Sequence, residues 1–335
     1  MALVCGDTHI TKDNLKECAL LFDLIDQKIE EHKEDVLVFL GDIYDTKAII
    51  RSEAQNFFLE RLRALTWKYN NLKIYVLVGN HDFENLDCLA HSLMPAKLIN
   101  NVTVVDAPLL VKELNAVLMP YVHSKDNFVE IVKSMIKAGG VKYVYCHQGL
   151  AGFHYDNGII DKHGADINDL PKKVKFIVGH YHKYQEQANV LYLGTPMSHS
   201  FREYNYENYL AIQKGNEFSL ICTNDILPKH YRLKYFELSN SFDFNLEKIT
   251  EKDLVEVVIY CQQANVNTLT KEFILDKLPL KPSVLRINYS IIDQSSDVRI
   301  EENTPLDEMV KQYLSSKQME NIYEDAMEYL NDARL

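Results

Sequence analysis

The chain has 335 residues, 47% of them hydrophobic, which excludes an intrinsically disordered protein and suffices for one large core with an appendage. With 36 Lys and Arg against 48 Asp and Glu the net charge is −12, and such an acidic surface excludes a protein that coats DNA by charge alone. No apolar run approaches the roughly 20 residues of a bilayer crossing, and a polar motif occupies the first ten residues where a signal peptide would lie, so a soluble, cytoplasmic protein is expected. The six cysteines, Cys5, Cys18, Cys88, Cys146, Cys222 and Cys261, form no C-x-x-C pair, and reduced thiols are expected.

Short β-branched runs at 3–5, 36–40, 74–78 and 102–105 predict buried strands. Between them, apolar spacing predicts helices at 15–31, opened by a cap at Asn14, and at 53–69. This alternation points to an α/β layered sheet. Further strand-like runs at 117–119, 143–146, 176–178, 190–193, 210–213 and 218–222 follow, so a sandwich of two sheets flanked by helices is expected over 1–225. A boundary near 224–228 leads into a β-β-α-β pattern (231–237, 254–260, 270–277, 284–290), which predicts a small α+β domain over 226–292. Pro305 then opens a tail at 305–335. There Met309, Val310, Tyr313 and Leu314 share one face, and Met319, Ile322, Tyr323, Ala326, Met327 and Leu330 repeat at threes and fours, as in two amphipathic helices.

Glycine is scarce, yet four of the 12 immediately precede a metal-binding residue type: Gly6–Asp7, Gly41–Asp42, Gly79–Asn80 and Gly179–His180. Each pair follows an apolar run, which places Asp7, Asp42, Asn80 and His180 just past strand ends, where open α/β sheets collect their ligands. Glycine there permits unusual dihedrals and close backbone approach. Asp7 and His9 stand two apart, as do His180 and His182, so a short turn can present each pair to one cation. Carboxylates, an amide and imidazoles form a donor set suited to Mn, Fe or Zn and poor for Ca, and the absence of thiolate ligands argues against structural zinc. His32, His91, His123, His154, His163, His199 and His230 lack such neighbours in sequence and read as surface or packing residues.

The ordered set D-x-H (Asp7, His9), G-D-x-x-D (Asp42, Asp45), G-N-H-D (Asn80, His81, Asp82), a lone His147 and G-H-x-H (His180, His182) is similar to that of the calcineurin-like metallophosphoesterases, and spans about residues 3 to 196. Within that superfamily the chain resembles the SbcD-type nuclease subunits, through 41–46, the Tyr-Leu-Gly-Thr-Pro at 192–196, and a β-rich cap followed by helices. Its length and the segment 149–158 resemble the recombination endonuclease subunits of large lytic bacteriophages. Ser/Thr phosphatases of the superfamily instead show G-D-x-V-D-R-G and G-N-H-E, and this chain has neither the Arg-Gly pair nor the Glu.

The resemblance implies two divalent metal ions, Mn foremost with Mg, Fe, Zn or Co as alternatives. One would take Asp7, His9, Asp42 and His182, the other Asp42, Asn80, His147 and His180. A carboxylate shared by cations roughly 3.5–4 Å apart lets them hold an activated water for in-line attack on phosphorus. His81 is left to protonate the departing oxygen, with Asp82 orienting its ring. Some nuclease relatives carry a second His three residues after the bridging Asp; here Asp45 stands there and is expected to anchor nearby backbone or a ligand His. The resemblance further implies a DNA substrate, an SMC-like SbcC-type ATPase partner docked by the tail, and a homodimer within a heterotetramer, with helices near 51–69 and 85–93 as dimer candidates. Basic residues at Lys172, Lys173 and Lys175 and at Lys229, Arg232 and Lys234 would meet DNA phosphates, the 226–292 domain included. The competing readings are a phosphoprotein or small-molecule phosphoesterase of the same superfamily, and a noncatalytic scaffold that has kept the fold.

Overall fold

In the first third of the chain, strand and helix alternate as β1 (Ala2–Cys5), α1 (Leu15–His32), β2 (Val36–Phe39), α2 (Ser52–Lys68), β3 (Lys73–Leu77) and β4 (Val102–Val105). There follow β5 (Leu109–Val111), β6 (Ala116–Met119), α3 (Lys125–Gly139), β7 (Tyr143–His147), β8 (Lys175–Gly179), β9 (Gln185–Gln187), β10 (Val190–Tyr192), β11 (Tyr209–Lys214) and β12 (Glu217–Cys222). The last elements are β13 (His230–Phe236), β14 (Ser241–Phe242), β15 (Leu254–Cys261), α4 (Lys271–Leu275) and β16 (Val284–Ile291). The computed structural model describes residues 1–47, 49–85, 87–292 and 310–311. The tail expected at 305–335 therefore lies outside the described residues, apart from Val310 and Lys311, which are helical.

Two six-stranded sheets carry the fold. One runs β12-β11-β1-β2-β3-β4 and the other β5-β6-β7-β8-β10-β9. In each, four neighbouring strands are parallel, β1 to β4 in the first and β6, β7, β8 and β10 in the second; antiparallel β11 and β12 flank one side of the first sheet, and antiparallel β5 and β9 form both edges of the second. Parallel strands covered on both faces read as continuous apolar runs, which is why these segments were legible in sequence. Their side chains still alternate between layers. In β2, Leu37 and Phe39 join the core beneath α1 and α2, where the rings of Phe22, Phe39 and Phe58 meet. Val36 and Val38 face the opposite way, into a core shared with Leu118, Tyr145, Ile177 and Leu193 of the second sheet. A third core lies under α3, through Phe128 and Val132 against Val144 and Phe176. The layers are helix, sheet, sheet, helix, the sandwich expected from the alternation.

Helix α1 buries Cys18, Leu21, Phe22, Ile25 and Ile29 along one stripe and stops at Lys33, whose left-handed backbone returns its N–H to the Ile29 carbonyl. Asn14 stands at its N-terminus but does not cap it; instead its amide accepts from Thr11 N and donates to the His9 carbonyl. Helix α3 is an element the sequence reading passed over. Ser124 caps it by accepting from Asn127 N at 3.3 Å, and Phe128, Val132, Met135 and Ile136 recur at helical spacing. The helix expected near 85–93 does not form: its described residues are irregular, held by a bridge between Phe83 and His91.

The chain divides into two compact units. The first holds Met1–Arg232, Ile249–Glu256 and Pro282–Val284; the second holds Leu233–Lys248, Val257–Lys281 and the described residues from Leu285. The two-sheet sandwich belongs wholly to the first. The last strands form a four-stranded sheet ordered β14-β13-β15-β16, and Thr270 caps the short α4 by accepting from Phe273 N. None of the six cysteines is in a disulfide, and among the described residues no helix is long and apolar enough to cross a membrane.

Candidate metal centre

The donors predicted from sequence meet at the carboxyl ends of the parallel strands. Asp7 and His9 follow β1, Asp42 follows β2, and Asn80 and His81 follow β3 of the first sheet. His147 ends β7, and His180 and His182 follow β8 of the second sheet. Packing two sheets face to face with strands ending on the same side is what brings these turns, 173 residues apart at Asp7 and His180, into one crevice.

Two groups of donor atoms result, Asp7 with His9 and His182, and Asp42 with His147 and His180. Asp42 lies between them: its Oδ2 is 3.3 Å from His147 Nε2 and 4.0 Å from His9 Nε2. The Asn80 amide oxygen sits 2.9 Å from His147 Nε2 and 2.7 Å from His180 Nδ1. All seven predicted ligands are thus drawn together. A further group, His9 with Asp45 and His81, adjoins them.

The backbone is bent to make this possible. His9, Asp42 and His180 have φ of 41°, 47° and 111°, a region that side-chain-bearing residues avoid and that clusters at functional sites. Of the glycines singled out in sequence, Gly41 alone has positive φ, 105°. At Gly79 the need is space, since a Cβ there would lie 2.2 Å from Asp42 Oδ1 and 2.3 Å from Asp42 N. The unusual dihedrals fall on the donor residues themselves more than on the glycines before them.

The electrostatics are those of a cation site. Asp7 and Asp42 are fully buried, and Asp7 Oδ1 and both ring nitrogens of His9 are buried without a hydrogen bond. Isolated buried acceptors cost several kcal/mol on the order of 2–7, so their convergence calls for a positive partner. Burial pushes the Asp7 carboxyl up. Burial also opposes ionisation of Asp42, but His147, His9 and His81 outweigh it and hold that carboxyl far below its ordinary range. The His147 imidazole is depressed by burial, yet Asp42 and Asp7 raise it to about 9. His180, buried and beside His147, falls to about 3. The donors present, carboxylates, an amide and imidazoles with nitrogens turned inward, fit divalent transition ions.

Asp82 corrects an expectation. It does not orient the His81 ring. Its Oδ1 accepts from Ile43 N at 3.0 Å and Tyr44 N at 3.3 Å, and its Oδ2 from Gly79 N at 2.9 Å, so it ties the turn after β2 to the turn after β3. His81 is held by Asp45 instead: its Nδ1–H donates to the Asp45 backbone carbonyl at 2.5 Å, with Nε2 on the other side of the ring. The Asp45 carboxylate approaches His9 Nδ1 at 3.4 Å. Of the basic residues, Lys172 donates to the Ile167 carbonyl, Lys175 pairs with Glu186, and Arg232 pairs with Glu256.

Four residues at the site escaped the sequence reading. His199, expected to be a packing residue, has its ring 5.5 Å from that of His9, and its Nε2 donates to the Asp7 carbonyl at 3.2 Å. Glu203 accepts from His182 Nδ1, and Asp156 lies 3.1 Å from the same atom. Tyr121 stacks on His180 at 6.4 Å between ring centres. None belongs to a glycine-led motif, the signal that revealed the others.

The family model for the Calcineurin-like phosphoesterase matches residues 2–223, the whole of the sandwich and every donor above. The chain belongs to this family. Calcineurin-like phosphoesterases are hydrolases that use divalent metal ions, in keeping with the donor set. Among its relatives the chain is 27% identical over 271 residues to "Putative phosphoesterase 078R" of Invertebrate iridescent virus 3, covering 77% of this chain and 75% of that protein. It is 28% identical over 200 residues to "Exonuclease subunit 1" of Enterobacteria phage T4, covering 57% of this chain and 58% of that protein. A third phosphoesterase-like relative, "Putative phosphoesterase 244L" of Invertebrate iridescent virus 6, is 28% identical over 214 residues, covering 60% of this chain and 71% of that protein.

Proposed function

We propose that this calcineurin-like phosphoesterase is a two-metal DNA phosphodiesterase, an exonuclease and endonuclease that serves as the nuclease subunit of an SbcCD-like ATPase complex in DNA end processing, recombination and repair. The observation that carries the metal chemistry is the pair of donor groups meeting at Asp42; what supports DNA as substrate is the similarity to a phage exonuclease subunit. Asp7, His9, Asp42 and His182 would hold one ion, and Asp42, Asn80, His147 and His180 the other, Mn being the proposed metal. When bound, the ions supply a water activated at neutral pH and neutralise charge on the phosphate. The protein keeps this chemistry in place. Asp42 is pinned through its Oδ1, which accepts from His81 N at 2.8 Å, and this holds in place the carboxylate that would serve both ions. The same contact sets His81 beside the donors, and its ring, fixed through Nδ1, offers Nε2 to protonate the departing oxygen.

A second copy and an SMC-like ATPase are the proposed partners. Trp67 on α2 and Leu98 are 85% and 86% exposed beside one groove of about 480 Å³, a face that a second copy would cover. Loss of ATPase binding on truncation at Thr304 is the outcome expected if the tail docks the partner. The decisive assay is release of nucleotides from linear duplex DNA with Mn, with and without the ATPase, beside p-nitrophenyl phosphate and a Ser/Thr phosphopeptide. Mn-dependent DNA cleavage abolished by Asp42→Ala, and lowered at least a hundredfold by His81→Ala with metal content kept, is expected. Turnover of the phosphopeptide without DNA cleavage would overturn the nuclease reading.

A further inference from the structure

The imidazoles of the two donor groups are held from behind by different chemistry. In the first group, His182 Nδ1 lies 2.9 Å from Glu203 Oε1 and 3.1 Å from Asp156 Oδ2. His9 Nδ1 faces Asp45 Oδ1 at 3.4 Å. In the second group, His147 Nδ1 donates to the neutral Leu40 carbonyl at 2.9 Å. His180 turns Nδ1 inward to Asn80, and its Nε2 lies by Gly149, where even a Cβ would come within 3.4 Å.

Glu203 is the best placed of these carboxylates. It is 3% exposed, and its second oxygen accepts from His199 N at 2.7 Å, while His199 in turn donates to the Asp7 carbonyl. One side chain therefore fixes the ring of His182 and, through His199, the backbone of Asp7. With Nδ1–H committed to a carboxylate, His182 has Nε2 as its metal-facing atom. A carboxylate behind a ligand imidazole sets its tautomer and angle and also raises its basicity, whereas a carbonyl supplies the orientation with less charge.

We propose that Glu203, assisted by Asp156, is a positioning residue for His182, and that it makes the Asp7–His9–His182 group the tighter of two inequivalent metal sites, the one that fills first. This rests on the two-metal reading and is independent of the choice of substrate. More carboxylates gather at this group, since Asp45, Asp156 and Glu203 add to Asp7 and Asp42, while the second group has Asp42 with the neutral Asn80, and Asp7 only approaches the back of His147, 3.9 Å from Nδ1.

The test is calorimetric titration of the full chain, stripped by chelator, with Mn²⁺ alone. The unsubstituted chain should bind two ions in resolved steps, and Asn80→Ala should lose the weaker step. Glu203→Gln, which keeps the shape and removes the charge, should weaken the tighter step by 10- to 100-fold and leave the weaker one unchanged. Glu203→Asp should recover part of the loss. Because a buried substitution can unfold a protein, Asp156→Asn, at a side chain more than a third exposed, is measured in parallel, and a smaller weakening of the same step is expected. Two equal steps, an unchanged tight step in Glu203→Gln, or loss confined to the weak step would each overturn this inference while sparing the two-metal reading. A chain that binds no Mn²⁺ at all would overturn both.

Discussion

Asp82 and His81 adjoin in sequence but hold different things. Burial and then the charge of Asp42 push the Asp82 carboxyl up to about 7, while its backbone N–H donors from Gly79 and Tyr44 pull it back. Its three contacts are to N–H groups of the two turns that carry Asp42 and Asn80. In Asp82→Asn one acceptor oxygen becomes an amide nitrogen facing a backbone donor, leaving a buried N–H unpaired. The expected result is a loss of about 1–3 kcal/mol in folding stability of the metal-free chain, read by urea unfolding. His81→Ala, at a partly exposed ring that bonds the Asp45 carbonyl and meets the His9 ring edge-on, should leave that stability within about 0.5 kcal/mol. Equal destabilisation by both would show that the Asp82 contacts do not join the turns.

The turn from α1 into β2 carries a buried carboxylate whose cationic neighbours, the N-terminus and Lys214, only partly offset its burial. Glu34 is 5% exposed, neither carboxylate oxygen has a hydrogen bond, and it lines a cavity of about 380 Å³ with Tyr69 and Leu72. Burial raises its carboxyl from an ordinary value of 4.5 to about 7. A raised carboxyl means the folded chain resists ionisation. Stability is therefore undiminished below about pH 4.5, falls as pH rises from there, and levels off above about pH 7. Glu34→Gln removes the ionisation, so the variant should exceed the unsubstituted chain by about 1–2 kcal/mol at pH 8 and match it below pH 4.5. Thermal unfolding across that pH range checks this; a constant difference at every pH would contradict it. Among helices, α3 could have been found from Ser124 and the spacing of Phe128, Val132 and Ile136, since cap and stripe are both local. The supposed helix at 85–93 has apolar residues and a capping type in Asn85, but that side chain closes a local turn by accepting from Asp87 N, and the Phe83–His91 bridge claims the backbone.

The candidate metal centre straddles the sandwich, with Asp7, His9, Asp42 and Asn80 from the first sheet and His147, His180 and His182 from the second. Any ion bound there by both sets holds the two sheets together and binds the folded chain alone. Mn²⁺ at 100 times its dissociation constant should then stabilise the chain by about 2.7 kcal/mol per site, and chelation should reverse it. Hydrogen exchange should slow in strands of both sheets on adding metal. His147→Ala, which removes a second-sheet donor and leaves Asp42 without its nearest cation partner, should lose most of that gain. Slowing confined to one sheet would mean that the ions do not bridge the sandwich.

The sequence by itself determined the candidate donors, the alternation that makes the sheets, and the family, because each rests on short-range order. A strand that ends in a glycine and a donor is written within a few residues, and so is a buried parallel strand. What only the tertiary structure decided is who supports whom. Asn14 holds the His9 loop instead of capping α1, Asp82 joins two turns instead of orienting His81, and Asp45 holds His81 through its carbonyl. Glu203 and His199 reach the site across separations of 21 and 192 residues. A hydrogen bond forms only within about 3.5 Å, and that distance is set by the packing of two sheets, which leaves no periodic trace at either end of the contact.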